Sequence, residues 1–161
     1  MNVANSINNQ GQVAMNSVML DGTLHAFLWS NGVSKDFGTY PEDAIVTVVP
    51  CCNNINERGK IAGFSLDVSF NQRALLWERA DEAPVDLNTL LPADSQWYVL
   101  IPGGINDAGE IAATALNLNT FEVHAVVVSH IAGVGPAARG AAKPPALPAS
   151  VRKLLQQRSR F

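Results

Sequence analysis

One short phrase is written three times in this chain: Ile7-Asn8-Asn9-Gln10-Gly11-Gln12-Val13-Ala14, Ile55-Asn56-Glu57-Arg58-Gly59-Lys60-Ile61-Ala62 and Ile105-Asn106-Asp107-Ala108-Gly109-Glu110-Ile111-Ala112. Its starts lie 48 and then 50 residues apart. A second phrase keeps the same beat, because His25-Ala26-Phe27-Leu28-Trp29 returns as Arg73-Ala74-Leu75-Leu76-Trp77 and as His124-Ala125-Val126-Val127-Val128. Self-similarity at such a period marks a repeat architecture, in which one unit cannot bury its apolar surface alone and leans on the next.

In the first phrase Asn stands three residues before Gly, the spacing of a type I turn whose Asn side chain accepts from the turn backbone while Gly takes the left-handed position that follows. The flanking segments are therefore predicted to pair as a hairpin in each copy. Two residues before each Ile stand Asn5, Asn53 and Gly103, residue types that tolerate positive φ, which predicts a bend or bulge there. Asp21-Gly22 and Asn31-Gly32 predict two-residue I′ loops, making the first unit a four-strand meander. Longer connections are predicted in the second unit at 68–72 and 79–83, and in the third at 117–120. The segment from Asp86 to Asp94 is predicted to close one helical turn stopped by Pro92.

The third strand decides the packing. Ala26 and Leu28 point to one face while His25, Phe27 and Trp29 point to the other, and the later copies alternate in the same way. A sheet apolar on both faces must be covered on both, and the cover at hand is the neighbouring unit. The expected fold is all-β: antiparallel four-stranded repeat units, about three blades, β-propeller-like with an incomplete or open ring, plus a disordered tail. The repeat domain is placed at 1–132, with repeats of about 1–44, 45–94 and 95–132. Small residues on the second strands (Ala14, Ala62 with Gly63, Ala112 with Ala113) fit crowding near an axis. Because propellers typically need about four or more blades, the end faces are expected to be covered by homo-oligomerisation or by neighbouring repeats, or to remain as an open stack.

Length and composition bound the rest. With 161 residues and 47% apolar residues, one core is expected. The net charge of −3 conceals two unlike parts. Residues 133–161 hold Arg139, Lys143, Arg152, Lys153, Arg158 and Arg160 without an acid, whereas residues 1–132 hold five cations and all fourteen acids. An acidic body thus carries a basic tail. Residues 133–149 are rich in Ala, Pro and Gly and read as a linker; in 150–161, Ser150 is placed to cap a short helix from Val151 to about Gln157. Docking on the acidic body is favoured over nucleic acid or membrane contact for so short a basic segment. Cys51 and Cys52 are neighbours, which disfavours a disulfide between them, and no second pair of soft ligands completes a zinc site. Apolar runs fall short of the roughly 20 residues of a membrane helix, so no transmembrane segment is expected. No export signal precedes the first phrase. That phrase begins so near residue 1 that a remnant of a longer protein, or a start lying upstream, is expected.

The two phrases closely resemble the bacterial HAF repeats, named for their His-Ala-Phe motif and often described as extracellular. Lys35-Asp36-Phe37-Gly38-Thr39 is similar to that family's Asp-Leu-Gly-Thr link, and Asp86-Leu87-Asn88-Thr89-Leu90-Leu91-Pro92 resembles the form that stands in the last repeat. The resemblance covers about residues 3–130 and implies C-terminal repeats of a longer array. It implies an extracellular setting and no particular activity. Arg73 in place of the motif His, and Val126-Val127-Val128 in place of Phe-Leu-Trp, depart from the pattern without breaking the strands.

No constellation of catalytic, cofactor-binding or metal-ligating residues stands out, and none is assigned. His25 and His124 are repeat equivalents whose third member, Arg73, cannot ligate a metal, so a hydrogen-bonding role at the strand start is expected. Asp36, Glu57, Asp86 and Asp107 recur at strand ends and turns, where capping is the expected role. Ser6, Ser17 and Ser65 lack a nucleophile-elbow context. Trp29 and Trp77 read as inter-unit core, and Trp97-Tyr98 as an exposed pair where ligand contact would first be sought. The expectation is a non-catalytic module for binding or display, with an unidentified ligand or protein partner. The competing reading is a polysaccharide-acting hydrolase or lyase using Asp36, Asp86, Glu57 and Asp107.

Overall fold

The computed structural model describes residues 2–40, 44–50, 52–129 and 147–158. The chain is all-β with one short helix. Strands β1 (Asn2–Ile7), β2 (Val13–Val18), β3 (Leu24–Ser30) and β4 (Val33–Asp36) form an antiparallel meander. Strands β5 (Ala44–Val48), β6 (Ile61–Asp67), β7 (Gln72–Trp77) and β8 (Val85–Asp86) repeat it. The third unit holds β9 (Trp97–Ile105), β10 (Ile111–Asn117) and β11 (Val123–Val128), three strands among the described residues.

The leaflets are less separate than expected at one point. A single parallel pair, Leu24 with Val46, joins the first two units into one mixed eight-stranded sheet, while the third remains a separate antiparallel sheet. The strands that carry the second phrase do not pair with each other.

The alternating faces do what period-two patterning requires. Ala14, Ala26 and Leu28 of the first unit pack against Ile55, Ile61, Leu75 and Trp77 of the second. Ala62, Ala74 and Leu76, on the other face of that second unit, pack against Val99, Ile105, Ile111 and Ala113 of the third, with Val126 and Val128 alongside. One face of each unit therefore always meets the opposite face of the next.

The turns obey one rule with different residues. Gly11, Gly59 and Gly109 adopt positive φ and close the first-phrase turns by donating to Asn8, Asn56 and Asn106. The Asp21-Gly22 loop is not the expected two-residue I′ turn. Gly22 donates to the Met19 carbonyl and Met19 to that of Thr23, which is a type I turn followed by a left-handed residue. The second unit keeps this loop at equal length, with Phe70 at φ 61 in the place of Gly22, so the longer connection expected at 68–72 is absent. Asn31-Gly32 does form a I′ turn, at φ 50 and 82. The bulges fall at the expected residues: Asn5 and Gly103 are skipped in their ladders, and the chain bends at Asn53. Only Asn53 of these three uses positive φ.

Gly63 explains one of the small residues of the second strands. A Cβ there would lie 2.5 Å from the Val48 carbonyl oxygen and 2.7 Å from the Trp77 ring. Both neighbours are fixed, one by the sheet and one by burial, so Gly63→Ala is expected to lower stability by about 1–3 kcal/mol through overpacking. Urea denaturation midpoints check this, with Ala113, the residue at the equivalent place in β10, showing that only the second unit is so tight.

The tail differs from expectation. Ala149–Arg158 is an α-helix, α1, anchored by Leu147 and Val151, which are buried against Tyr98, Leu100 and Leu116. Val151 and Arg152 donate to the Pro148 carbonyl, so Ser150 lies inside the first turn and does not cap it. Arg152 also donates to the Ser69 carbonyl. The expected 3-10 turn is present at Leu87–Leu90, capped by the Asp86 side chain and ending at Leu91 before Pro92. Most of the linker, and Cys51, lie outside the described residues. None of the described helices is long and apolar enough to cross a membrane.

Candidate functional site

Three groups of polar residues and one pocket concentrate the chemistry of the fold. The first group is the repeated turn itself. Asn8 Nδ2 donates to the Asn56 carbonyl at 3.0 Å, and Asn56 Nδ2 donates to the Asn106 carbonyl at 3.0 Å. The next residue repeats the pattern: the Asn9 N–H donates to the Glu57 carboxylate at 3.0 Å, and the Glu57 N–H to Asp107 Oδ1 at 2.9 Å. Each Asn also uses its Oδ1 to hold its own turn, accepting from the N–H of the residue four positions on. Glu57 and Asp107, two of the acids of the competing reading, thus tie one unit to the unit before it.

The second group heads the third strand of every unit. His25 Nδ1 lies 3.0 Å from Asp36, and its Nε2 lies 3.0 Å from Thr23 Oγ1. The Thr–His–Asp order resembles a nucleophile, base and orienting acid. The chemistry differs, because Thr23 Oγ1 is also 2.6 Å from Asp21 Oδ1. A carboxylate only accepts, so the hydroxyl hydrogen goes to Asp21, and toward the imidazole Thr23 presents a lone pair and no proton to abstract. In the third unit His124 pairs with Glu122 at 3.5 Å and meets Trp97 edge-on at 5.3 Å. His25 thus has the hydrogen-bonding role expected at the strand start, and both histidines find these partners within their own units.

The third group is buried. Arg73 occupies the His25 position and Asp86 the Asp36 position; Arg73 Nε lies 3.8 Å from Asp86 and its NH2 lies 3.3 Å from Asp67, all three residues being buried. Asp67 also accepts from the N–H groups of Ser69 and Asn71 and from the Asn71 amide. Burial raises its carboxyl, but the bonds from Asn71, Ser69 and Arg73 outweigh that and leave it below the usual range. Asp86 goes the other way: burial pushes it up further than the Asn88 bonds and Arg73 pull it down. Burial, and then the Asp86 charge, push the Tyr98 hydroxyl up to about 12. Tyr98 is therefore core, packed beside Leu147 and Val151, and not the exposed aromatic expected from sequence.

The two carboxyls act oppositely on stability. Asp67, with its lowered folded pKa, contributes stability that is present above its unfolded value and lost as pH falls through the folded one. Asp86, with its raised pKa, contributes stability that is present below its unfolded value and lost as pH rises through the folded one. Asp67→Asn is accordingly expected to flatten the loss of stability below pH about 4, while lowering stability at neutral pH by removing the charge that Arg73 faces. Urea midpoints across that range, compared with the parent chain, check both effects.

The pocket lies where the first unit hands over to the second. It has a volume of about 460 Å³, opens to solvent, and is lined by Lys35, Asp36, Phe37, Tyr40 and Trp77 with the 80–84 loop. Half-buried Phe37 stacks at 5.0 Å and 20° on Trp77, which is itself buried, and Lys35, Asp81 and Glu82 stand at the rim. Trp77 lies in the core between units, as expected from sequence, whereas the pocket beside it was not foreseen. The readable signal was the link 35–39, which carries Phe37. No three His, Cys, Asp or Glu residues gather as a metal-sized cluster among the described residues. Comparison of the chain with family models, curated proteins and solved structures finds no match in any of the three.

Proposed function

We propose that this chain is a propeller-type repeat module of the HAF kind that binds or displays a ligand without transforming it. The observation that carries this reading is the separate engagement of the four acids that the competing hydrolase or lyase reading would use. Asp36 is held by His25 and the Gly38 N–H, Glu57 by Asn9, Asp86 by Asn88 and Arg73, and Asp107 by the Glu57 N–H. Glycoside hydrolysis needs two carboxyls facing each other across a substrate, about 5–10 Å apart, with one pKa raised and the other not. The acid with the raised pKa, Asp86, is buried and faces Arg73 and Asn88, not solvent.

The binding place we assign is the pocket over Phe37 and Tyr40, whose partly exposed rings and charged rim suit a ring-bearing polar ligand such as a sugar. An extracellular setting accords with the family resemblance. The test is a tryptophan-fluorescence titration with a panel of oligosaccharides, with chromatography of the same mixtures for products. Saturable quenching that is lost in Phe37→Ala, without product formation, is expected. Product formation that disappears in Asp36→Asn or Asp86→Asn would overturn the reading in favour of a polysaccharide-cleaving enzyme.

A further inference from the structure

The two open ends of the stack are the two halves of a contact that the chain already makes twice internally. Ile55 and Ile105 are 5% and 6% exposed beneath the preceding unit, whereas their equivalent in the first unit, Ile7, is 68% exposed. Trp77 is 1% exposed and its equivalent Trp29 is 38% exposed. The opposite end shows the complementary half. Leu28 and Leu76 are 5% and 7% exposed on the face that meets the following unit, while Val127 at that place in the third unit is 69% exposed. Ala26 and Ala74 are wholly buried there, and Ala125 is exposed.

The polar ladder ends in the same sense. Asn8 is buried and its Nδ2 bonds both its own Gln12 and the Asn56 carbonyl, and Asn56 is buried with its Nδ2 on the Asn106 carbonyl, whereas Asn106 is exposed and among the described residues its Nδ2 bonds its own Glu110 alone, at 2.7 Å. The carbonyls of Asn56 and Asn106 each accept from their own turn Gly and from the Asn of the preceding unit; the Asn8 carbonyl accepts from Gly11, and among the described residues there is no preceding unit whose Asn would reach it. Helix α1 packs on Tyr98, Leu100 and Leu116 and leaves Val127 and Ala125 uncovered.

We infer that a second copy of this chain docks head to tail, its first unit covering the Ala125 and Val127 face of the third, with Asn106 donating to the partner copy's Asn8 carbonyl. This rests on the propeller-type reading above. A head-to-tail contact closes into a ring or runs on as a filament. Rings of whole three-unit chains contain multiples of three units, and within the range of about four to eight blades that propellers use, six is the multiple that fits. The assembly is therefore a closed pair, in which each copy supplies both kinds of end.

Sedimentation at micromolar concentration is expected to give twice the chain mass of 17.2 kDa. Ile7→Glu and Val127→Glu, at sites too exposed to disturb the fold of one chain, are each expected to halve the mass, with unchanged far-ultraviolet circular dichroism. Mixing the two variants is expected to restore association, since one of the two contacts then joins parental faces. A monomeric parent chain, a larger closed or open assembly, or a dimer that survives Val127→Glu would overturn the inference; the last would mean that Ile7 faces pair with each other. Fluorescence titration on the same samples reads the pocket independently, so loss of pairing and loss of the binding reading are told apart.

Discussion

Arg73→Met is expected to lower the unfolding free energy by about 3–5 kcal/mol, the loss seen when one partner of a buried ion pair is removed and its counter-charge stays behind. Among the described residues Arg73, 5% exposed, is the one cation set against both Asp67 and Asp86, so methionine would fill the volume while leaving two buried carboxyls without it. Burial raises the Asp86 carboxyl, whereas its bonds hold that of Asp67 low, which identifies Asp67 as the more firmly held charge and the one that would suffer most. The measurement is urea denaturation at neutral pH and again near pH 4. The deficit is expected to shrink in acid, where the stranded carboxyls take up protons. A deficit independent of pH would show that Arg73 acts through packing alone.

Trp77→Ala is expected to cost about 3–5 kcal/mol, as for large aromatic residues removed from a closed core. Trp77 is the largest fully buried side chain, it packs with Ile61 and Leu75, and it stacks on Phe37. Its repeat equivalent provides the control. Trp29 holds the same strand position in the first unit but faces outward, so in the isolated chain Trp29→Ala is expected to cost far less. Thermal unfolding of the two variants at a dilution that favours single chains checks the difference. Comparable losses would mean that the outward face is already covered.

Much of this fold was legible because two periods coincide. Alternation in Arg73–Trp77 and its copies announced two apolar faces, and the repeat supplied the partner for each. The bulges at Asn5 and Gly103 were legible because a residue with few backbone restrictions recurs at a fixed offset from Ile. Where the reading failed, a side chain hid a repeated backbone shape: Phe70 takes the positive φ that Gly22 takes in the first unit, a conformation that costs it of order 1 kcal/mol or more and that the hairpin imposes on it, whereas the loop of the third unit is one residue longer, as expected. The Arg73 cluster was only half visible. The change from His to Arg was plain, but Asp67, Asp86 and Tyr98 come from separate strands and loops, and nothing local ties them to it. The pocket was invisible for the same reason, since Phe37 and Trp77 meet only after the units pack. Helix α1 was foreseen as a short element; that it docks through Leu147, a residue placed in the linker, was not.

The turn ladder also bears on how such a chain grows. Asn8 bonds to Asn56, and Asn56 to Asn106, so each side chain takes as its partner the counterpart of its own residue one period further on. A contact of like with like needs no second sequence to evolve toward the first. Any in-frame copying of one period inserts a unit whose two sides already match both neighbours, and arrays of different length are reachable in single steps without passing through an ill-fitting intermediate.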